Sequence, residues 1–163
     1  MNNTHIYIIM GVSGCGKSTI GKFLANELGL PFFDGDDYHP EANVTKMASG
    51  KALNDKDREG WLQALNELAL EHSTTGAVIA CSALKERYRD QLRKGLGKKM
   101  VFVYLSGSFD DIYARLKERK GHYMPSQLLK SQFETLEPPE DAVEVSINNT
   151  PEEIIAEILD KIN

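Results

Sequence analysis

Eight residues near the N-terminus constrain the fold more than any other stretch: Gly11-Val12-Ser13-Gly14-Cys15-Gly16-Lys17-Ser18. They follow the apolar run Ile6-Tyr7-Ile8-Ile9-Met10 and lead into Thr19-Ile20-Gly21-Lys22-Phe23-Leu24-Ala25, an order that reads as strand, glycine loop, helix. The spacing is that of a phosphate-binding P-loop. Gly11, Gly14 and Gly16 let the backbone turn successive N–H groups toward a polyphosphate, and the helix that starts near Gly16 aims its positive end at the same anion. Lys17 can then reach the β- and γ-phosphates as the catalytic cation, while the Ser18 hydroxyl can ligate Mg²⁺. The nucleotide-binding segment is therefore expected to comprise Gly11, Val12, Ser13, Gly14, Cys15, Gly16, Lys17, Ser18 and Thr19.

A strand that feeds a P-loop belongs in a parallel sheet, and the rest of the chain supplies its neighbours. Four more apolar runs follow, at residues 30–33, 77–81, 100–105 and 142–147. The runs at 77–81 and 100–105 are apolar on consecutive residues, as in strands buried on both faces, whereas the last alternates and suits a sheet edge. Helical patterns separate them at 17–28, 39–48, 55–72, 85–94, 109–120, 125–136 and 151–162. Gly29 ends the first, and Thr150, Pro151 and Glu153 form the start of the last. The expected fold is α/β, a three-layer P-loop NTPase type with a five-stranded parallel sheet.

The length of 163 residues suits a single domain with a substantial core. Residues 38–72 and 121–140 carry helix without strand, so they read as insertions at the carboxyl edge of the sheet, one binding an acceptor and one acting as a lid. A net charge of −5 and a pI near 5.4 argue against nucleic acid or an anionic membrane as partner. The basic residues Arg93, Lys94, Lys98 and Lys99 read as a solvated loop. The two cysteines, Cys15 and Cys81, have no metal-ligand spacing around them and fit free thiols in a reducing cytoplasm. Neither a signal peptide nor a membrane span is expected.

The second strand ends in Asp34-Gly35-Asp36-Asp37, and no aspartate stands at the tip of the third, Cys81-Ser82. If the first two strands are neighbours, Asp34 lies beside the P-loop and joins Ser18 in the Mg²⁺ shell. Asp36, two residues on, can face the same cleft and accept a hydrogen bond from an attacking hydroxyl, or simply cap the next helix. His39 is either a substrate contact or a structural histidine before Pro40. Arg58 suits a two-pronged clamp for a carboxylate, or else pairs with Asp55 or Glu59 on a solvated face. Arg115 and Arg119, four apart on one helix, can meet one polyphosphate.

These blocks together resemble the P-loop gluconokinases, a family akin to the shikimate and nucleoside monophosphate kinases. The resemblance rests on the P-loop, Asp34-Gly35-Asp36-Asp37-Tyr38-His39-Pro40, Lys46-Met47, Leu53-Asn54-Asp55-Lys56-Asp57-Arg58, Trp61-Leu62, Cys81-Ser82-Ala83-Leu84-Lys85, Tyr88-Arg89-Asp90, Gly121-His122-Tyr123-Met124 and Ser131-Gln132-Phe133-Glu134-Thr135-Leu136-Glu137-Pro138. It implies a nucleoside-monophosphate-kinase-like fold and transfer of the ATP γ-phosphate to the 6-hydroxyl of D-gluconate, with Mg²⁺, in a cytoplasmic homodimer. It places Asp36, His39, Arg58, Lys85 and His122 near the sugar acid, Arg115 and Arg119 at the nucleotide, and Lys17, Asp36 and Arg119 in catalysis. A nucleoside monophosphate or shikimate-type kinase shares the core but differs in the acceptor insertion. A nucleotide-dependent switch would be a third class, but the chain has no Asn-Lys-x-Asp guanine signature.

Overall fold

The computed structural model describes residues 4–118 and 126–162. Arg119 and His122, with the start of the second insertion, lie outside the described residues. Five strands, β1 (Ile6–Met10), β2 (Phe32–Asp34), β3 (Ala77–Ala80), β4 (Met100–Ser106) and β5 (Val143–Ser146), form one parallel sheet in the order β2-β3-β1-β4-β5. β1 and β3 are buried at every residue. Because successive side chains of a strand point to opposite faces, helices must cover both sides of this sheet.

The covering helices are α1 (Lys17–Leu28), α2 (Glu41–Ala48), α3 (Asp55–Glu71), α4 (Glu86–Leu92), α5 (Phe109–Glu118), α6 (Ser126–Thr135) and α7 (Pro151–Ile162). α1 packs on β1, β2 and β3, α7 packs on β5, and the two helices touch each other. α3 sends Trp61, Leu62, Leu65, Leu68 and Ala69 into the same continuous core as the sheet, and pairs with α4.

Several boundaries differ from the sequence reading for local reasons. β2 starts at Phe32 because the Leu30 N–H is already committed to the Ala25 carbonyl, closing α1 beyond its Gly29 cap. α2 starts at Glu41 because Pro40 disfavours a helical conformation for the residue before it, and His39 is extended. The acidic segment between them, expected as the end of the second strand, is a 3₁₀ turn, Gly35–Tyr38. The reciprocal Thr150 and Glu153 cap of α7 is present, and β5 lies at an edge with β2 at the other. The basic cluster is partly neutralised, with Arg93 on Asp90 at 3.0 Å and Lys99 on the Ser73 carbonyl at 2.9 Å.

β1 is central, and the chain leaves it toward β2 and β3 on one side before crossing to β4 and β5 on the other. The segment after β1 therefore sits at the point where the strand order reverses, where open α/β sheets leave a crevice. That segment is the P-loop.

Candidate active site

Gly11, Gly14 and Gly16 all have positive φ, and Gly11 is confined as well as twisted. A Cβ there would lie 2.8 Å from Cys15 Sγ and 2.9 Å from the Leu105 carbonyl oxygen. The loop is thus wrapped tightly around the buried Cys15 side chain, leaving only that residue's backbone to meet a phosphate. Burial pushes the Cys15 thiol up, with Lys17 opposing, and burial takes the Cys81 thiol up to about 12. Both cysteines are free and stay protonated near neutrality. Lys17 Nζ donates to the Val12 carbonyl at 3.0 Å.

β1 and β2 are not neighbours, contrary to the condition under which Asp34 was placed beside the loop, because β3 lies between them. Asp34 still reaches the loop, since α1 runs back across β3 and brings its first turn over the tip of β2. Ser18 Oγ donates to Asp34 Oδ2 at 2.8 Å, and Asp34 Oδ1 caps the 3₁₀ turn by accepting from the Asp36 N–H at 3.0 Å. Among the described residues no cluster of three or more His, Cys, Asp or Glu side chains could hold a metal by itself. A hydroxyl and a carboxylate, both hard oxygen donors, fit a cation that takes its remaining ligands from nucleotide phosphates and water.

One side of the loop opens on a cleft of about 640 Å³ walled by α2, α3 and α6 and lined by Ser13, Lys17, Asp36, His39, Arg58, Trp61 and Gln132 among others. The Asp36 side chain is 79% exposed there. Its turn is fixed from below, where a Cβ on Gly35 would fall 2.3 Å from the Ala80 carbonyl oxygen, and Trp61 Nε1 donates to the Gly35 carbonyl at 2.8 Å. The His39 ring stacks on Trp61 with centroids 4.1 Å apart.

Asn43, buried on α2, sets the state of that ring. Its Nδ2 donates to the Asp57 carbonyl at 2.7 Å and lies 3.3 Å from His39 Nδ1. A donor at Nδ1 requires that nitrogen to accept, so the imidazole proton sits on Nε2, which is 3.8 Å from Asp36 Oδ1. Burial holds His39 below the usual histidine range, Asp36 counters in part, and Arg58 adds to the lowering.

Arg58 is 8% exposed. Its Nη1 donates to Tyr88 Oη at 3.0 Å and its guanidinium lies over the Tyr88 ring at 5.2 Å. Among the described residues no carboxylate stands within ion-pair distance of it, so neither Asp55 nor Glu59 is its partner. Asp55 instead collects Lys85 and Arg87, each at 3.0 Å, and the Tyr88 hydroxyl. These bonds, Tyr88 first, hold the Asp55 carboxyl below its usual range, while burial and Asp55 raise Tyr88 to about 12. Lys85, expected at the substrate, is thus committed to Asp55 and does not line the cleft.

The other side of the loop borders a smaller cavity of about 240 Å³, lined by Gly14, Cys15, Gly16, Thr19, Arg115 and Asn149 with Ile20, Pro151 and Ile154. Arg115 is held there by donating to the Ile147 carbonyl. The sequence reading missed Asn43, Gln132 and the anchoring role of Trp61. Trp61 carried a signal, since a buried indole N–H needs an acceptor, and Gln132 lies in a block of the family resemblance that left its role unspecified.

A P-loop at the reversal point of a five-stranded parallel sheet, between two cavities, makes this a P-loop kinase fold. A family model described as shikimate kinase matches residues 13–163. The chain is 48% identical to thermoresistant gluconokinase of Escherichia coli (strain K12), covering 97% of this chain and 93% of that protein. It is 46% identical to a probable gluconokinase of Mus musculus over 96% of this chain and 97% of that one. It superposes on the crystal structure of a gluconokinase from Sinorhizobium meliloti 1021 with a TM-score of 0.91, at 41% identity, covering 98% of this chain and 92% of that one. The chain belongs to the gluconokinases, within the wider shikimate kinase family.

Proposed function

We propose that this protein transfers the γ-phosphate of ATP to the 6-hydroxyl of D-gluconate, releasing ADP and 6-phospho-D-gluconate. The supporting observation is Arg58: a buried guanidinium with no anionic partner among the described residues, lining a cleft that also holds Asp36 and the acceptor side of the P-loop. A sugar acid brings a carboxylate to that cation and a chain of hydroxyls to the rest of the cleft.

In this reading ATP lies along Gly11 to Thr19, with its nucleoside toward Arg115 in the smaller cavity and its γ-phosphate toward the larger one. Lys17 leaves the Val12 carbonyl for the phosphate oxygens, where its charge counts most as the phosphoryl group moves. Ser18 and Asp34 would hold Mg²⁺, which neutralises charge on the phosphates. Asp36 accepts the hydrogen bond, and then the proton, of the 6-hydroxyl. The neutral His39 presents Nε2–H toward Asp36 and helps to orient it. Arg58 grips the carboxylate at the far end, which makes gluconate's length a measure of the cleft.

The whole chain acts as one kinase domain, with residues 38–72 as acceptor segment and 121–140, bearing His122 and flanked by Arg119, as lid. The two buried thiols suit a reducing cytoplasm, and among the described residues no helix is long and apolar enough to cross a membrane. A homodimer is part of the proposal and is checked by light scattering.

The test is a coupled ADP-release assay across gluconate, idonate, shikimate and nucleoside monophosphates. Gluconate should give the highest kcat/KM, and a nucleoside monophosphate or shikimate turned over faster would overturn the reading.

A further inference from the structure

Gln132 stands on α6, 119 residues along the chain from Ser13, yet its carboxamide makes a two-point contact with that residue. Oε1 accepts from the Ser13 backbone N–H at 2.7 Å, and Nε2 donates to Ser13 Oγ at 3.0 Å. The pairing fixes the amide's orientation, because the flipped form would set an NH₂ against an N–H donor.

The Ser13 N–H belongs to the same peptide group as the Val12 carbonyl, and that carbonyl is where Lys17 Nζ rests, at 3.0 Å. In a trans peptide the C=O and N–H point in opposite directions, so one rigid plane is held from both ends, by Lys17 and, at 3.4 Å, the Cys15 N–H on its oxygen, and by Gln132 on its hydrogen. A rotation of that plane would break the Lys17 and Gln132 bonds together. Ser13, Lys17 and Gln132 all line the larger cleft, whereas Gly14, Cys15 and Gly16 line the smaller one, so the lock acts on the acceptor-facing side of the loop.

We propose that Gln132 is a positioning residue of the transfer reaction. It locks the Val12–Ser13 peptide so that the Val12 carbonyl keeps the Lys17 ammonium at the acceptor end of the loop, poised for the γ-phosphate. It acts through Lys17 and touches no reacting atom. The inference rests on the kinase reading of this cleft, and it adds α6 to the phosphate-binding machinery.

The experiment compares Gln132→Met, which keeps length and volume but removes both bonds, with Ser13→Ala, which keeps the N–H bond and loses only the Oγ one. With one to two neutral hydrogen bonds at stake, Gln132→Met should lower kcat roughly 5- to 150-fold and Ser13→Ala roughly 2- to 12-fold, with KM for ATP within about threefold of wild type. The decisive comparison uses Lys17→Ala: if Gln132 works through Lys17, adding Gln132→Met to Lys17→Ala should leave the residual rate unchanged within about twofold. Multiplicative losses in that double variant, or equal losses in Ser13→Ala and Gln132→Met, would make Gln132 a mere brace for α6 and overturn the proposal. The same ratios are to be read in ATP hydrolysis without acceptor. If gluconate were the wrong substrate, wild type itself would fail the gluconate assay while this comparison stayed intact.

Discussion

Arg58 offers the sharpest test of the acceptor. Replacing it with Ala removes a side chain that is 8% exposed as a residue and whose guanidinium, among the described residues, hydrogen-bonds Tyr88 Oη at 3.0 Å. Tyr88 is not orphaned by the change, because its hydroxyl still binds Asp55. The protein should therefore fold, losing chiefly the contact with the Tyr88 ring. The substrate fares worse: its carboxylate must shed water to enter the cleft and no longer finds the guanidinium that would clamp it. Charge-assisted hydrogen bonds contribute roughly 1.5 to 3 kcal/mol, which corresponds to a loss of about 10- to 150-fold in kcat/KM for gluconate. Arg58→Lys should recover only part of this, since an ammonium on a shorter reach restores charge without the fork. The assay is steady-state kinetics with gluconate and with a neutral polyol of the same length, alongside direct titration of ATP. ATP affinity should hardly move, and the polyol should be an equally poor substrate for wild type and variant. If the polyol loses as much as the acid, or ATP weakens in step with gluconate, Arg58 is a structural residue of α3 and the carboxylate is bound elsewhere.

Other outcomes follow from the same geometry. Lys17→Ala should cut kcat by at least about 100-fold with an unchanged melting temperature, because among the described residues its ammonium hydrogen-bonds just the Val12 carbonyl; turnover near wild type would remove Lys17 from the chemistry. Asp36→Asn should preserve ATP binding and lower kcat about 10²- to 10⁴-fold, since the amide cannot take the hydroxyl proton; a normal rate would shift that role to another group. The Asp57 carboxyl is held below its usual range by Lys46 first and then by the Asn54 N–H. Its contribution to stability is therefore present above pH 3.8 and is lost as pH falls through the depressed folded value. Asp57→Asn should accordingly melt earlier than wild type at pH 7, with the gap closing in acid, and a gap independent of pH would contradict the assignment.

The sheet and the loop were legible in the sequence because each depends on a short, local pattern. Runs such as Ala77–Ala80 and the Lys17–Leu28 helix with its Gly29 cap were read almost to the residue. The order of the strands was not local, and so whether β1 and β2 are neighbours stayed open; they are not, yet Asp34 meets Ser18. The acceptor side was less legible still. Lys85 carried a charge in a suggestive block, but which carboxylate or substrate it serves is decided by Asp55, 30 residues away. Asn43 gave no signal, and Gln132 stood in a block that carries the family resemblance without any sign of its role, because a carboxamide on a helix reads the same whether it faces water or a backbone N–H 119 residues distant.

That contrast has a physical root in how the two halves of the site are fastened. The nucleotide side grows from β1, whose five residues are all buried, and its loop inherits the rigidity of the core. The proposed acceptor side is held by polar bonds: α2 buries only Asn43, and among the described residues its polar ties to α3 are the Asn43 amide on the Asp57 carbonyl and Lys46 on Asp57 at 2.6 Å. Such contacts contribute little each, and a segment held by them opens at lower free-energy cost than the sheet beneath it. In the proposed function this segment would admit the substrate and release a product that carries an added phosphate, which weak polar fastening suits. The same fastening reaches His39 through the Asn43 amide, 3.3 Å from Nδ1, whereas Asp36 is fixed by the Gly35 turn and Arg58 by Tyr88, so packing of α2 on α3 shapes one wall of the cleft.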